Sequence, residues 1–332
     1  MSEWRQPFFL PLWQKTNNDM ITEQRHINLH LPQSWNRCTT EELEAIAAAI
    51  VEEQAAVGRF RPFLWERVKL HIVLAINNLS VLESDGNDDV FLVQRGKEEP
   101  FPISTGQLAD LCERLNWLTD EKADKTIFLF PYPTLEVSGF RFQVSGPAPL
   151  LDGFTWREYR WLTDWMQEYM RCTNALAVDV RSKREDVRRK AQAAIDTARN
   201  EFLAVLFKPA SADGRNVEMS KSRNVEELTA DTFTAFDAVK WQVILFWWSG
   251  LMFQLSKKFP KVFKTHPVGK GKKGARPDTP WDFYNRVTAT IQKYVGGLAA
   301  KDVDEQPYGV TLQQLEMMAD EAAEMEKIKH KK

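Results

Sequence analysis

Cysteine is scarce. Cys38, Cys112 and Cys172 are the only three in 332 residues, and none has a second Cys or a His at metal-ligand spacing. That excludes a disulfide-stapled secreted scaffold and a zinc finger, and leaves three reduced thiols in the core of a protein that needs neither. Histidine is almost as sparse, with no H-E-x-x-H among the five. His26 and His30 fall on the polar side of a strand and read as an incidental pair rather than as zinc ligands. An excess of charge of one sign is missing too. With 44 basic residues against 46 acidic ones, no overall field draws the chain onto nucleic acid or an anionic membrane. Hydrophobic runs of spanning length are also lacking. The apolar segment 243–253 is preceded by Lys240 and closed by Gln254, Lys257 and Lys258, well short of the ~20 residues a membrane helix needs, and it reads as a buried core helix. The opening Met1-Ser2-Glu3-Trp4-Arg5-Gln6-Pro7 has no apolar stretch ending in small residues, so a cytoplasmic location is expected.

Catalytic signatures are equally thin. There is no G-x-S-x-G, no P-loop and no kinase set. Gly269-Lys270-Gly271-Lys272-Lys273-Gly274 spells G-x-G-x-x-G, but it follows Thr265-His266-Pro267 and runs into Arg276-Pro277. A dinucleotide site needs a strand before the glycines and a helix after them, so the segment reads as a linker. Asp85, Asn87, Asp88 and Asp89 lack the glycine and distal glutamate of a calcium loop and read as a surface turn. No catalytic, metal or cofactor-binding residues are assigned, and the chain is expected to be non-enzymatic.

What is present is packing material. Hydrophobic residues make up 43% and charged residues 27%, with 12 Trp and 20 Phe, so disorder of the whole chain is excluded and a large core is expected. Residues 25–32 alternate as a half-buried strand ended by Pro32. Thr39 and Glu42 have capping-box spacing before a helix with Leu43, Ile46, Ala47 and Ile50 on one face, stopping at Gly58. A second helix is expected from Pro62 to Leu79, burying Phe63, Leu64, Val68, Ile72 and Leu74, followed by a loop over 83–89. Strands are expected at 90–94 and 127–130, flanking a helix from Gln107 to Leu118 with Leu108, Leu111, Leu115 and Leu118 inward. Leu135 and Val137 against Phe140, Phe142 and Val144 give a hairpin turning at Ser138-Gly139.

The composition shifts at Gly146-Pro147-Ala148-Pro149 and the remainder reads as helical, so the predicted architecture is mainly α with a small β element: an α+β N-terminal domain over 1–150 and a helical domain over 151–332. Thr155 with Glu158, and Ser182 with Glu185, open helices; the first places Tyr159, Leu162, Trp165, Met166 and Tyr169 at helical spacing, which is read as core rather than as a stacking platform. The apolar helix spans about 231–258, another runs from Thr279-Pro280 to Tyr294, and Thr311 with Gln314 caps a last helix carrying Leu312, Leu315, Met318 and Ala322. Segments 210–227 and 266–279 read as flexible. The basic run Arg181, Lys183, Arg184, Arg188, Arg189 and Lys190 is interleaved with Glu185 and Asp186 and reads as a solvated face, with nucleic-acid contact as the alternative.

Several pieces, taken in order, carry a resemblance. They are Ile27-Asn28-Leu29-His30-Leu31-Pro32-Gln33-Ser34-Trp35-Asn36; Gly146-Pro147 leading to Phe154-Thr155-Trp156-Arg157-Glu158-Tyr159; Leu203-Ala204-Val205-Leu206-Phe207-Lys208-Pro209; and Trp248-Ser249-Gly250-Leu251 through Phe259-Pro260-Lys261-Val262-Phe263-Lys264. The chain resembles a family of tail-module proteins from phages and prophages of Bacteroides-type bacteria, with 172–201 and the stretch near 214 looking like expansions. The family's genes sit between tail-tube and tape-measure genes. The resemblance therefore implies a tail-assembly chaperone or minor tail component, with the tube or tape-measure protein as partner, in the bacterial host cytoplasm. It brings no functional residues. The segments expected to dock on a protein partner are the aromatic N-terminal peptide, with Trp4, Phe8, Phe9 and Trp13, and the terminal helix, with Leu312, Leu315 and Met318; packing on the protein's own core is the alternative for each. Two other functional classes are a nucleic-acid-associated protein using 181–190 and 270–276, and an enzyme with an unfamiliar site, which a deep polar pocket of converging carboxylates or histidines would mark.

Overall fold

The computed structural model describes residues 8–12, 25–56, 63–84, 90–136, 144–179, 185–209, 229–263, 287–293 and 299–329. The fold is mixed α and β, with strands in the N-terminal part and a helix-rich C-terminal bundle. By backbone contacts it divides into two compact units, Met1–Ile127 with Asp237–Phe246, and Phe128–Phe236 with Trp247–Lys332. The Gly146–Pro149 segment, where a division is expected from composition, lies inside the second unit. Among the described residues no helix is long and apolar enough to cross a membrane.

In the first unit, β1 (Phe8–Leu12) pairs antiparallel with β2 (Arg25–Leu29), Phe8 opposite Leu29 and Leu12 opposite Arg25. α1 (Thr40–Ala56) opens on the expected capping box: Thr39 N–H donates to Glu42 Oε2 (2.8 Å) and Glu42 N–H to Thr39 Oγ1 (3.2 Å). Leu43, Ile46, Ala47 and Ile50 are all buried, as their spacing predicts. α2 (Trp65–Ile76) is shorter than expected at both ends. Leu64 is exposed and Leu74 only half-buried, with Val68, Ile72 and Val73 facing inward instead. The start of α2 is set by a side chain from α1. Buried Glu53 accepts from Leu64 N–H (3.1 Å) and from Arg67 Nε (3.1 Å) and Nη2 (2.5 Å). At the other end, Asn77 ties α2 to the segment after β2: its Oδ1 accepts from His30 N–H (2.8 Å) and its Nδ2 donates to the carbonyls of His30 and Val73 (both 3.0 Å).

Residues 79–84, expected to end a helix and enter a loop, form a strand. β3 (Leu79–Ser84), β4 (Val90–Arg95) and β5 (Phe101–Ser104) make an antiparallel sheet in that order, with a bulge at Val81–Glu83. β5 is an edge strand, which is why it tolerates Pro102, a residue with no N–H to give a ladder. Ser104 and Gln107 then form a second reciprocal cap, opening α3 (Thr105–Glu113). α3 stops before the expected end. A 3-10 turn over Asn116–Leu118 carries Leu118, so Leu108, Leu111, Leu115 and Leu118 are all buried although the helix does not run through them.

No strand forms at 127–130. Phe128 and Leu129 are exposed, whereas Phe130 turns in to meet Phe207 and Trp247 edge-on, with centroids 5.6 and 4.8 Å away. β6 (Thr134–Leu135) and β7 (Val144–Ser145) form the expected antiparallel pair in a different register. A two-residue turn at Ser138-Gly139 would set Leu135 opposite Phe142; the observed partner is Val144. The shift is of two residues, so each side chain keeps its face. Residues 137–143, with the expected Ser138-Gly139 turn, lie outside the described residues. β8 (Lys208–Pro209) adds a third strand, unanticipated, on β7.

α4 (Trp156–Asp179) and α5 (Glu185–Leu206) pack along each other, burying Tyr159, Leu162, Met166, Ile195, Phe202 and Leu203. Trp165 and Tyr169, read as core, are only half-buried. The Thr155–Glu158 cap is present, with Thr155 N–H to Glu158 Oε2 at 2.9 Å and Glu158 N–H to Thr155 Oγ1 at 3.3 Å. α6 (Ala238–Lys258) begins later than expected, because Asp237 caps it by accepting from the N–H groups of Val239 and Lys240 (both 2.9 Å); a 3-10 turn, Ala230–Phe233, precedes it. Its first half belongs to the first unit and its second half to the second. α7 (residues 287–293), α8 (Ala300–Glu305) and α9 (Tyr308–Lys329) complete the chain. α9 starts three residues before the Thr311 cap expected from spacing, and Thr311 is a buried residue within it. The glycine-rich stretch 269–274, the acidic turn 85–89, and 210–227 lie outside the described residues.

Two substitutions test this packing. Glu53→Ala removes the buried carboxylate that holds Leu64 N–H and Arg67, and is expected to lower stability by about 3 kcal/mol or more in urea unfolding; a loss typical of a surface ion pair, under about 1 kcal/mol, would refute that role. At Gly146, whose N–H donates to Pro133 O (3.0 Å), any Cβ would meet the Phe130 ring and the Tyr132 carbonyl. Gly146→Ala is therefore expected to cost about 1–3 kcal/mol, and an unchanged unfolding midpoint would show the contact to be yielding.

Candidate partner-binding surface

α9 is fixed at its start by the chain that leads into α4. Trp156 N–H donates to Gln306 O (2.7 Å), Tyr308 N–H donates to Phe154 O (3.1 Å), and Thr155 bridges to Pro307. The Tyr308 ring stacks on Tyr159 at 4.9 Å and its hydroxyl donates to Leu150 O. That carbonyl belongs to a turn in which Leu150 and Leu151 both adopt positive φ (53° and 55°), and Leu151 is buried. Midway along α9, Glu316 accepts from the N–H groups of Lys261 (3.0 Å) and Val262 (3.0 Å), and Asp320 pairs with Lys261 Nζ. These attachments set the rotation of the helix. Tyr308, Thr311 and Leu312 face the core.

The opposite side carries a second apolar set. Val310 is 44%, Met317 51%, Met325 60% and Ile328 59% exposed. At about 100° per residue these four lie within an arc of about 80°, and at about 1.5 Å per residue they extend over about 27 Å of helix. Farther along, Asp320 through Met325, and Ile328, are all exposed. An exposed helix stretch gains little from tertiary packing and is marginal in water unless something covers it.

Of the residues expected to meet a partner, Leu312 is 1% exposed and belongs to the protein's own core, while Leu315 and Met318 are half-buried on the flank. Phe8 and Phe9 lie in β1, their backbones paired with Leu29 and Asn28. Trp4 and Trp13 are outside the described residues. The outward set was legible in principle. Val310, Met317, Met325 and Ile328 share one side of a helical wheel, and its apolar positions run on through Met325 and Met318 toward Leu315 and Leu312.

The chemistry elsewhere is that of structural groups. Among the described residues no three His, Cys, Asp or Glu side chains are grouped to hold a metal ion. Burial, with Glu42 nearby, pushes the Cys38 thiol up to about 12, and burial is also the first cause raising Cys112 and Cys172; none is a thiolate nucleophile at neutral pH. His30 Nε2 meets Glu42 Oε1 at 2.5 Å. A buried polar cluster surrounds Arg160, whose Nη1 reaches Asp304 Oδ1 (2.9 Å) and Thr288 Oγ1 (3.4 Å); Arg157 Nε is 3.7 Å from Asp304 Oδ2. One turn along α4, burial raises the Asp164 carboxyl to about 6, moderated by Arg160. A carboxyl near neutrality can move a proton, but here it neighbours a guanidinium already held by Asp304, the pattern of an ion network between helices. Among the described residues of the 181–190 run, Arg188, Arg189 and Lys190 are exposed at the start of α5; residues 181–184 lie outside the described residues.

In comparisons with protein-family models, with curated proteins and with solved structures, nothing matches this chain.

Asp164 gives a pH test. Its folded pKa lies above its usual value, so the folded state binds the proton more tightly, and stability falls as pH rises from about 4 through about 6. Asp164→Asn is expected to equal the wild type near pH 4 and to exceed it in unfolding midpoint above pH 7. A difference independent of pH would contradict the burial of this group.

Proposed function

We propose that the protein is a non-enzymatic assembly factor of phage or prophage tails, a chaperone or minor tail component that holds a helix of the tail-tube or tape-measure protein against the outward stripe of α9. The observation that carries the binding reading is the exposure of Val310, Met317, Met325 and Ile328 along one line of a helix whose other face is already used. Leaving such a line in water forgoes about 25 cal/mol for each Å² that a partner could cover. The choice of tail proteins rests on the resemblance carried by residues 27–36, 146–159, 203–209 and 248–264. A factor of this kind works in the cytoplasm of the bacterial host, where tail proteins are made, and needs no cofactor.

A second reading has one observation behind it, the exposed Arg188, Arg189 and Lys190. Glu185 and Asp186 on the same turns offset part of their field, which favours a solvated face. Nucleic-acid binding through them would weaken steeply with added salt, since counterion release governs that contact.

The test is coexpression with the neighbouring tube and tape-measure proteins, followed by affinity capture of this chain. One of the two is expected to be retained, and M325D/I328D, at exposed positions, is expected to cut its recovery about tenfold without changing the helical content. Retention of neither protein, or equal retention by the variant, would overturn the proposal.

A further inference from the structure

Unfavourable contacts gather where α9 docks. The turn beneath its first residue puts two successive leucines, Leu150 and Leu151, at positive φ, a strained conformation for a residue with a Cβ, and Leu151 is buried. Tyr308, the first residue of α9, holds that turn through its hydroxyl, which donates to Leu150 O. From the Gln306–Pro307 junction along α9, three polar side-chain atoms, Gln306 Oε1, Thr311 Oγ1 and Gln314 Oε1, are buried without a hydrogen-bond partner among the described residues. Each loses water when the helix docks and gains no bond in return. The favourable side is short. Tyr308 and Leu312 bury large side chains, but from Gln313 to Met325 no residue of the helix is buried. Farther on, Glu316 and Asp320 hold the turn at Lys261, and the Lys261–Asp320 pair is exposed enough for water and salt to screen it. Elements that open locally come from this low-stability end of a structure, where little apolar contact is set against strain and unpaired polar groups.

We infer that α9 is a releasable arm, which undocks from Tyr308 onward while α4 and α5 stay folded, the turn at Leu150 and Leu151 relaxing as the helix leaves. Docked, the arm offers a partner only its outer stripe. Undocked, it offers Leu312 as well as Val310 and Met317, and so a wider apolar surface. That use of the motion deepens the reading of α9 as the partner-binding helix and rests on it; the motion itself needs no partner.

The experiment is amide hydrogen exchange on the full chain, read by mass spectrometry in urea concentrations below the unfolding transition. Amides of α9 between Leu312 and Met318 are expected to exchange about a hundredfold faster than those of α5 between Ala198 and Leu206, with little dependence on urea. Tyr308→Phe keeps the ring and loses the hydroxyl, and is expected to speed α9 exchange about fivefold while leaving α5 unchanged. Leu150→Gly carries no strain at positive φ, and Thr311→Val replaces the unpaired hydroxyl with a methyl of the same shape; each is expected to slow α9 exchange about threefold. Equal protection of α9 and α5 with the same urea dependence, a Tyr308→Phe effect shared by both helices, or no slowing by either Leu150→Gly or Thr311→Val would each overturn the inference. The two readings fail separately. Fast α9 exchange without capture of any tail protein defeats the tail assignment alone, whereas equal protection of the two helices beside a captured tail protein defeats the release alone.

Discussion

The arrangement of the C-terminal bundle depends on one short backbone pairing, in which Thr155 stands opposite Pro307 and the flanking N–H groups of Trp156 and Tyr308 reach across to Gln306 and Phe154. Pro307 has no N–H to contribute, so the bonds fall on its neighbours. The pairing sets the first turns of α4 and α9 side by side and thereby fixes the rotation of α9. A slip of one residue would turn the helix by about 100°, carrying Leu312 out of the core and bringing Val310 and Met317 toward it. Which face of α9 meets solvent is decided here, at its first turn. Tyr308 reinforces the setting with its ring on Tyr159 and its hydroxyl on Leu150 O, inside a turn where two leucines hold a left-handed backbone that bulky side chains rarely adopt.

How much of this was legible in the sequence follows from the range of each interaction. The reciprocal caps at Thr39–Glu42 and Thr155–Glu158 involve residues three apart, and both form as their spacing predicts. The inward faces of α1 and α3 were legible for the same reason, since periodicity is a local property. Errors enter where a distant partner decides. Glu53 from another helix defines the start of α2, and Lys208–Pro209 joins a strand far behind it in sequence. The hairpin register is an intermediate case, since apolar alternation fixes which face each residue takes but not which of two registers, two residues apart, the turn adopts.

The candidate surface shows the same division. That the last helix is amphipathic was plain from Leu312, Leu315 and Met318, and the structure places the first of these inside the protein. A sequence lists apolar residues without saying which are already committed; only the Phe154–Tyr308 junction does. The Arg160 cluster was invisible beforehand, because Arg160, Thr288 and Asp304 lie on three separate helices and no spacing rule connects them. The aromatic residues, by contrast, do what their number implies. Phe130, Phe207, Phe233 and Trp247 meet edge-on or stacked within the second unit, a use of large rings as packing volume.

The outward methionines give α9 a chemical vulnerability that the buried side chains of the same helix do not share. Peroxide converts an accessible thioether to a sulfoxide, which is polar and chiral, and Met317 and Met325 stand in solvent while Leu312 offers no sulfur and no access. Oxidative ageing of a preparation would therefore rewrite the outer line of the helix from greasy to wet while every core contact survives. A sample can pass for intact by its folding and yet have lost the surface it presents.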